Sequence, residues 1–79
     1  MKNRVLALMG DKQSKENRTI NASVVAEEVG LTRQVVSKWS RNEVVEFRSD
    51  IIVKFCQYFH VGIGDLLYME ESDLVAEPN

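Results

Sequence analysis

Apolar residues recur at helical spacing along most of the chain, and polar segments separate them. Val5, Leu8 and Met9 lie on one side of a predicted first helix that runs from about Asn3 to Met9 or slightly further. Residues 10–19 contain no apolar side chain, so they form either a mobile loop or an additional polar turn of helix.

Two short helices joined by a tight turn are predicted in the middle of the chain. Asn21 and Thr32 are good N-cap residues, because their side-chain oxygens can accept hydrogen bonds from the backbone N–H groups of a first helical turn. Gly30 can adopt the left-handed conformation that often ends a helix. The two helices predicted from these signals are Ala22–Val29 and Arg33–Ser40.

An apolar residue precedes each of these N-caps and has a partner five positions further on. Ile20 matches Val25 and Leu31 matches Val36, which is the spacing of a hydrophobic staple. Ala26 is small enough to let a crossing helix approach closely. These features together predict a helix-turn-helix.

A fourth helix is predicted at Ser49–Phe59. Its inward face is formed by five residues at helical spacing: Ile51, Ile52, Phe55, Cys56 and Phe59. In the connection before it, Phe47 is expected to enter the core, whereas Val44 and Val45 form either a short extended segment or part of a dimer contact. A short last helix is predicted from Asp65 to about Met69, with Leu66 and Leu67 closing the core.

One face of the predicted helix 33–40 carries cationic and amide side chains and no carboxylate. The residues on this face are Arg33, Gln34, Ser37, Lys38 and Arg41. Val36 and Trp39 fall on the opposite face, where they would anchor the helix to the core. A solvated helix usually carries both charge signs, so the face is expected to bind a partner, and its chemistry fits nucleic acid.

The net charge of −2 is unevenly distributed along the 79 residues. Residues 1–42 contain eight lysine or arginine and four acidic residues, and residues 43–79 contain two and eight. DNA phosphates respond to the field within roughly 8 Å at physiological salt, so the basic half can face DNA despite the total charge.

Several of these residues match a known family pattern. Val25-Ala26, Val29-Gly30-Leu31, Val36 and Trp39, followed by Phe55-Cys56, Phe59, Val61 and Gly64-Asp65-Leu66-Leu67, stand in the family's order. Over residues 4 to about 69 the chain therefore resembles the Cro/phage-repressor (xenobiotic-response-element) type of helix-turn-helix family, in a small single-domain bacterial or phage branch.

The resemblance implies an all-α, lambda-repressor-like fold, a compact bundle of five short helices. It implies a helix-turn-helix domain at residues 1–69. The residues that follow, 70–79, are mostly acidic or polar and are expected to form a flexible tail. The chain departs from the family at Ala22, where many members have a phosphate-binding glutamine, and around residues 13–18, where the link between helices is about six residues longer. His60 replaces a common glycine and is therefore expected to have a positive φ angle.

We expect a sequence-specific regulator of transcription, a repressor, that inserts helix 32–41 into the major groove of double-stranded DNA. The expected base-contacting residues are Arg33, Gln34, Ser37 and Lys38. The expected phosphate-contacting residues are Ala22, Ser23, Thr32, Arg41 and Asn42. Lys12, Lys15 and Arg18 either touch the DNA backbone or are solvated loop charges.

A homodimer on a palindromic operator is expected, since one recognition helix reads only a few base pairs. Its candidate surfaces are the last helix with the tail, and the Val44-Val45 connection. Regulation is expected through abundance, oligomerisation or a protein antagonist. The alternative function is an antitoxin-like or protein-interaction module with the same fold, supported by the acidic C-terminal half and by Ala22.

Other classes of function find little support. Cys56 is the only cysteine and is expected to be a buried core thiol, and His60 is the only histidine, so neither a metal nor another cofactor is expected. The chain has no glycine-rich phosphate loop and no nucleophile motif, and is not expected to be an enzyme. No targeting or membrane-spanning segment is apparent, so we expect a cytoplasmic protein of one domain.

Overall fold

The computed structural model describes residues 1–74, and it is predominantly helical, as predicted. Its elements in chain order are β1 (Lys2–Asn3), α1 (Val5–Glu16), α2 (Ala22–Val29), α3 (Arg33–Ser40), α4 (Ser49–Phe59), α5 (Ile63–Leu66), β2 (Leu67–Tyr68) and α6 (Glu71–Leu74). None of the helices in this part of the chain is long and apolar enough to cross a membrane.

The predicted bounds of α2, α3 and α4 are confirmed. The side-chain oxygen of Asn21 accepts a hydrogen bond from the N–H of Val24 at 3.0 Å, and Thr32 Oγ1 accepts one from the N–H of Val35 at 3.2 Å. Gly30 ends α2 with a φ of 84°, the left-handed conformation expected of it. These local signals fix the turn between α2 and α3.

The first helix is longer than its apolar residues indicated. It continues to Glu16, so most of the polar segment is helix rather than loop. Lys12 and Glu16, one turn apart, form an ion pair of 2.6 Å on its surface. The side-chain oxygen of Gln13 accepts the N–H of Ile20 at 2.9 Å, which ties the helix end to the start of the next segment.

The predicted last helix, Asp65 to about Met69, is wrong in its bounds. The helix there is α5, a single turn at Ile63–Leu66, because the next two residues leave it to form β2. Strand β2 pairs antiparallel with β1, with Asn3 opposite Leu67 and Lys2 opposite Tyr68. The added turn α6 makes six helices in the described part rather than five, and residues 75–79 of the predicted flexible tail lie outside it.

The core lies between the first four helices and α5. Its buried apolar residues are Val5, Met9, Ile20, Val25, Ala26, Val36, Trp39, Phe55 and Leu66. Trp39 is at its centre, with ring centroids 5.5 Å from Phe47 and 5.0 Å from Phe55. Cys56 is only half-buried, which corrects the expectation of a fully buried thiol; it packs against the core from the edge, and this burial raises the pKa of the thiol.

Candidate nucleic-acid interface

The polar side chains of α3 lie together on one open face. Arg33, Gln34, Ser37, Lys38 and Arg41 line a single shallow surface groove, which we call the α3 groove. On the opposite side of the helix Val36 is fully buried and Trp39 is 2% exposed. The apolar side of α3 is thus packed against the core, and the predicted base-contacting residues face outward.

Two cations of the α3 groove have no ion-pair partner within residues 1–74. These are Arg33 and Lys38, and both side chains are exposed. Arg41 differs, because its Nε lies 3.3 Å from a carboxylate oxygen of Glu43. Both partners are more than half exposed, so water and salt screen this pair strongly. Glu43 could not be assigned to this face from the helical period, because it lies just beyond residues 32–42, which contain no carboxylate.

The N-terminal ends of α2 and α3 both present backbone donors. In α2 the N-cap Asn21 satisfies the N–H groups of Val24 and Val25, while those of Ala22 and Ser23 have no partner in the described chain. In α3 the N-cap Thr32 satisfies Val35 and Val36 in the same way. Free N–H groups and the helix dipole make each end suited to a phosphate.

Asn42 lies outside the α3 groove and is half-buried. It has a φ of 56°, and its side-chain oxygen accepts a hydrogen bond of 2.7 Å from the backbone N–H of Asn3. Only its Nδ2 group is left to reach a phosphate. This contact could not be predicted from the sequence, since its partners are 39 positions apart.

Lys12 and Arg18 are engaged within the protein, in what we call the Glu28 cluster: Lys12, Glu16, Arg18, Glu28 and Tyr58. The two terminal nitrogens of Arg18 donate to the two carboxylate oxygens of Glu28 at 2.9 and 2.8 Å. The hydroxyl of Tyr58 donates to the same carboxylate at 2.5 Å. Because Lys12 and Arg18 pair with carboxylates of the protein itself, a structural role is favoured for them over a contact with DNA. Lys15 is exposed.

The hydrogen bonds of the Glu28 cluster shift the pKa values of its members. The guanidinium of Arg18 and then the hydroxyl of Tyr58 lower the pKa of Glu28 to about 2. Burial, followed by the hydrogen bond to Glu28, raises the pKa of Tyr58. Glu28 therefore stays ionised at all pH values near neutrality, and Tyr58 stays protonated.

The chain belongs to the family of Cro/C1-type helix-turn-helix DNA-binding domains, whose model matches residues 8–72. A solved structure with a similar fold is the crystal structure of a proposed DNA-binding protein from Bacteroides fragilis. The two chains are 25% identical, with a TM-score of 0.64 over 82% of this chain and 94% of that one. None of the curated proteins compared with the chain matches it significantly.

Within residues 1–74, no group of three or more histidine, cysteine or acidic side chains is placed to hold a metal ion.

Proposed function

We propose that the protein is a sequence-specific regulator of transcription, a repressor, that binds double-stranded DNA with α3 in the major groove. Membership of a DNA-binding family supports the class of partner. The observation that carries the proposal is the α3 groove itself, an exposed set of cationic and amide groups on a helix held from behind by Val36 and Trp39.

Four side chains of the groove face the base edges, and Arg33 and Gln34 read them. Arg33 donates to O6 and N7 of a guanine, and Gln34 pairs with N6 and N7 of an adenine, the bidentate contacts that these side chains favour. Lys38 reaches a neighbouring base or a phosphate. Ser37 is half-buried and small, so it allows the helix to approach the groove floor closely.

Phosphates are bound by residues that surround the α3 groove. Ala22 and Ser23 offer the N-terminal end of α2 to one phosphate, and Thr32 offers the N-terminal end of α3 to another. Arg41 contacts a phosphate at the C-terminal end of α3. Contacts of this kind set the register of the protein on the duplex but carry no sequence information.

The DNA site is palindromic and the protein binds it as a homodimer. Two copies of α3 would then lie about 34 Å apart, one helical turn of DNA. The α3 groove of one chain contacts only a few base pairs. A homodimer therefore recognises twice as many base pairs with the same side chains. A protein antagonist that covers the α3 groove would relieve repression.

Selection of bound sequences from a random pool of duplexes tests the proposal. The wild-type chain should enrich one motif with two-fold symmetry and half-sites about one helical turn apart. Arg33→Ala should lose the preference at one base pair of each half-site, whereas Lys54→Ala, which removes an exposed cation of α4 outside the α3 groove, should leave the motif unchanged. A folded wild-type protein that enriches no motif would overturn the proposal.

A second candidate function is an antitoxin-like or protein-interaction module. It is favoured by the connection between α3 and α4. There the side chain of Val45 is 93% exposed, and Glu43 and Glu46 flank the Val44-Val45 pair. Acidic groups beside an exposed apolar side chain repel DNA phosphates, so this connection suits a protein contact better than a DNA contact. Failure of the selection experiment with a folded protein would favour this candidate.

A further inference from the structure

The C-terminal end of α3 is attached to the N-terminal strand by one side chain. After Ser40 the helix closes with Arg41, whose N–H bonds to the carbonyl of Ser37 at 3.0 Å. Asn42 then turns the chain with a φ of 56°. In this conformation its Oδ1 lies 2.7 Å from the backbone nitrogen of Asn3, which donates the hydrogen bond.

Asn3 is itself held firmly and independently of α3. It is 4% exposed, and its side-chain oxygen accepts the N–H of Val5 at 2.9 Å, at the start of α1. Its backbone lies opposite Leu67 in the β1–β2 pair, and the next residue, Arg4, donates its N–H to the carbonyl of Leu66 at 2.8 Å. The group that Asn42 binds is therefore part of the fixed frame of the protein.

The N–H of Asn3 points away from β2. Alternate residues of an antiparallel strand direct their backbone groups to opposite sides, and Arg4 directs its N–H to the β2 side. A backbone N–H on the outer side of a buried residue needs an acceptor, and Asn42 supplies it. The side-chain Nδ2 of Asn3 is buried and has no hydrogen-bond partner within residues 1–74, which costs free energy. Packing alone therefore does not account for an asparagine at this position.

This contact bears on DNA binding because α3 is short. Its eight residues make only about two turns, so a constraint at one end governs the direction of the whole helix. Arg41 is directly before Asn42 and lines the α3 groove, and Lys38 is one turn earlier. A shift at Asn42 would move both side chains relative to a bound duplex.

We propose that Asn42 is a positioning residue: through the N–H of Asn3 it fixes the C-terminal end of α3 and so sets the angle at which the α3 groove meets DNA. The proposal rests on the proposed function. It assigns the effect of Asn42 to its oxygen and the N-terminal strand, and not to a phosphate contact of its Nδ2.

Two substitutions separate these roles. Asn42→Gly keeps the left-handed backbone free of strain but removes the acceptor, and Asn42→Asp keeps an acceptor and tolerates the same φ. The readout is the ratio of Kd values for a scrambled duplex and for the duplex selected from the random pool, measured by fluorescence anisotropy. The added charge of aspartate repels both duplexes alike, so it cancels in this ratio.

We expect Asn42→Gly to lower this ratio roughly 3- to 10-fold, the effect of one hydrogen bond, and Asn42→Asp to retain it. Amide exchange at Asn3 should be fast in Asn42→Gly and slow in Asn42→Asp. The matched control is His60→Gly, which replaces another non-glycine residue with a φ of 56° at the end of α4 and should leave the ratio unchanged.

A direct phosphate contact would give the opposite pattern, in which both variants weaken both duplexes and the ratio of Asn42→Gly stays at the wild-type value. That result, or a ratio lost equally in Asn42→Gly and Asn42→Asp, would overturn the proposal. Asn42→Ser, whose side chain is one bond shorter and falls short of Asn3, replaces Asn42→Gly if the glycine variant does not stay folded. Failure of wild-type protein to distinguish the two duplexes would instead refute the proposed function.

Discussion

Arg18 and Glu28 form a bidentate ion pair that joins the α1–α2 connection to α2, the first helix of the helix-turn-helix. Both nitrogen-to-oxygen distances are below 3 Å, at 2.9 and 2.8 Å. Tyr58 of α4 donates to the same carboxylate, so Glu28 links three parts of the chain. Paired guanidinium and carboxylate groups of this geometry are the strongest of the surface ion pairs.

This carboxylate should make stability depend on pH in the acid range. The pKa of Glu28 is about 2 in the folded protein against an ordinary 4.5, so its contribution is fully present above about pH 4.5. It declines as the pH falls below that value and is gone below about pH 2. We therefore expect Glu28→Gln to lower the Tm at pH 6, and the difference from wild type to shrink steadily between pH 4.5 and 2.

The neighbouring Glu27 provides the control for this experiment. It is exposed and has no ion pair within residues 1–74, so Glu27→Gln should follow the wild-type Tm at every pH. A difference between Glu28→Gln and wild type that stays constant down to pH 2 would show that the charge of Glu28 does not stabilise the fold.

The helix-turn-helix was predictable because its signals are local. The N-caps Asn21 and Thr32 and the left-handed Gly30 each act within one helical turn, and all three behave as their residue types indicated. The burial of Val36 and Trp39 followed in turn from the helical period. Which side chains touch DNA stays a prediction, since it depends on a partner.

The contacts missed from the sequence join distant residues or depend on polar side chains. Strands of two residues, such as β1 and β2, have no period to detect, and their pairing joins Asn3 to Leu67. The extension of α1 to Glu16 relies on polar side chains, including the ion pair of Lys12, and lacks an apolar stripe. The hydrogen bond of Asn42 to Asn3 exists only once the strand is in place.

The contribution of the buried side of α3 to stability can be measured by comparing a valine-to-alanine substitution at a buried and at an exposed position. Val36 is fully buried behind the α3 groove, and Val45 is 93% exposed. Val36→Ala should lower the free energy of unfolding by roughly 2 kcal/mol, through lost burial and the cavity left behind. Val45→Ala, the same chemical change in water, should alter it by less than about 0.5 kcal/mol. Urea denaturation measures both, and equal effects would contradict the proposed core.

The two arginines of the α3 groove should differ in their effect on specificity. Arg33→Ala should cost roughly 1–3 kcal/mol on the selected duplex and relax the preference at one base pair. Arg41→Ala should instead weaken all duplexes similarly and flatten the dependence of log K on log salt by about one unit. Anisotropy titrations at several salt concentrations, on selected and scrambled duplexes, measure both effects. An Arg33→Ala variant with undiminished affinity for the selected duplex would contradict its role.

Glu43 should restrain the affinity for DNA through its ion pair with Arg41. Its carboxylate lies 3.3 Å from the Nε of Arg41, at the edge of the α3 groove. Glu43→Gln removes this competitor and one repulsive charge, so we expect tighter binding to selected and scrambled duplexes alike and a steeper salt dependence. The matched control is Asp50→Asn, since Asp50 forms a similarly exposed pair with Arg48, two residues before it and outside the groove. If Glu43→Gln and Asp50→Asn change the affinity equally, the effect reflects net charge and not the release of Arg41.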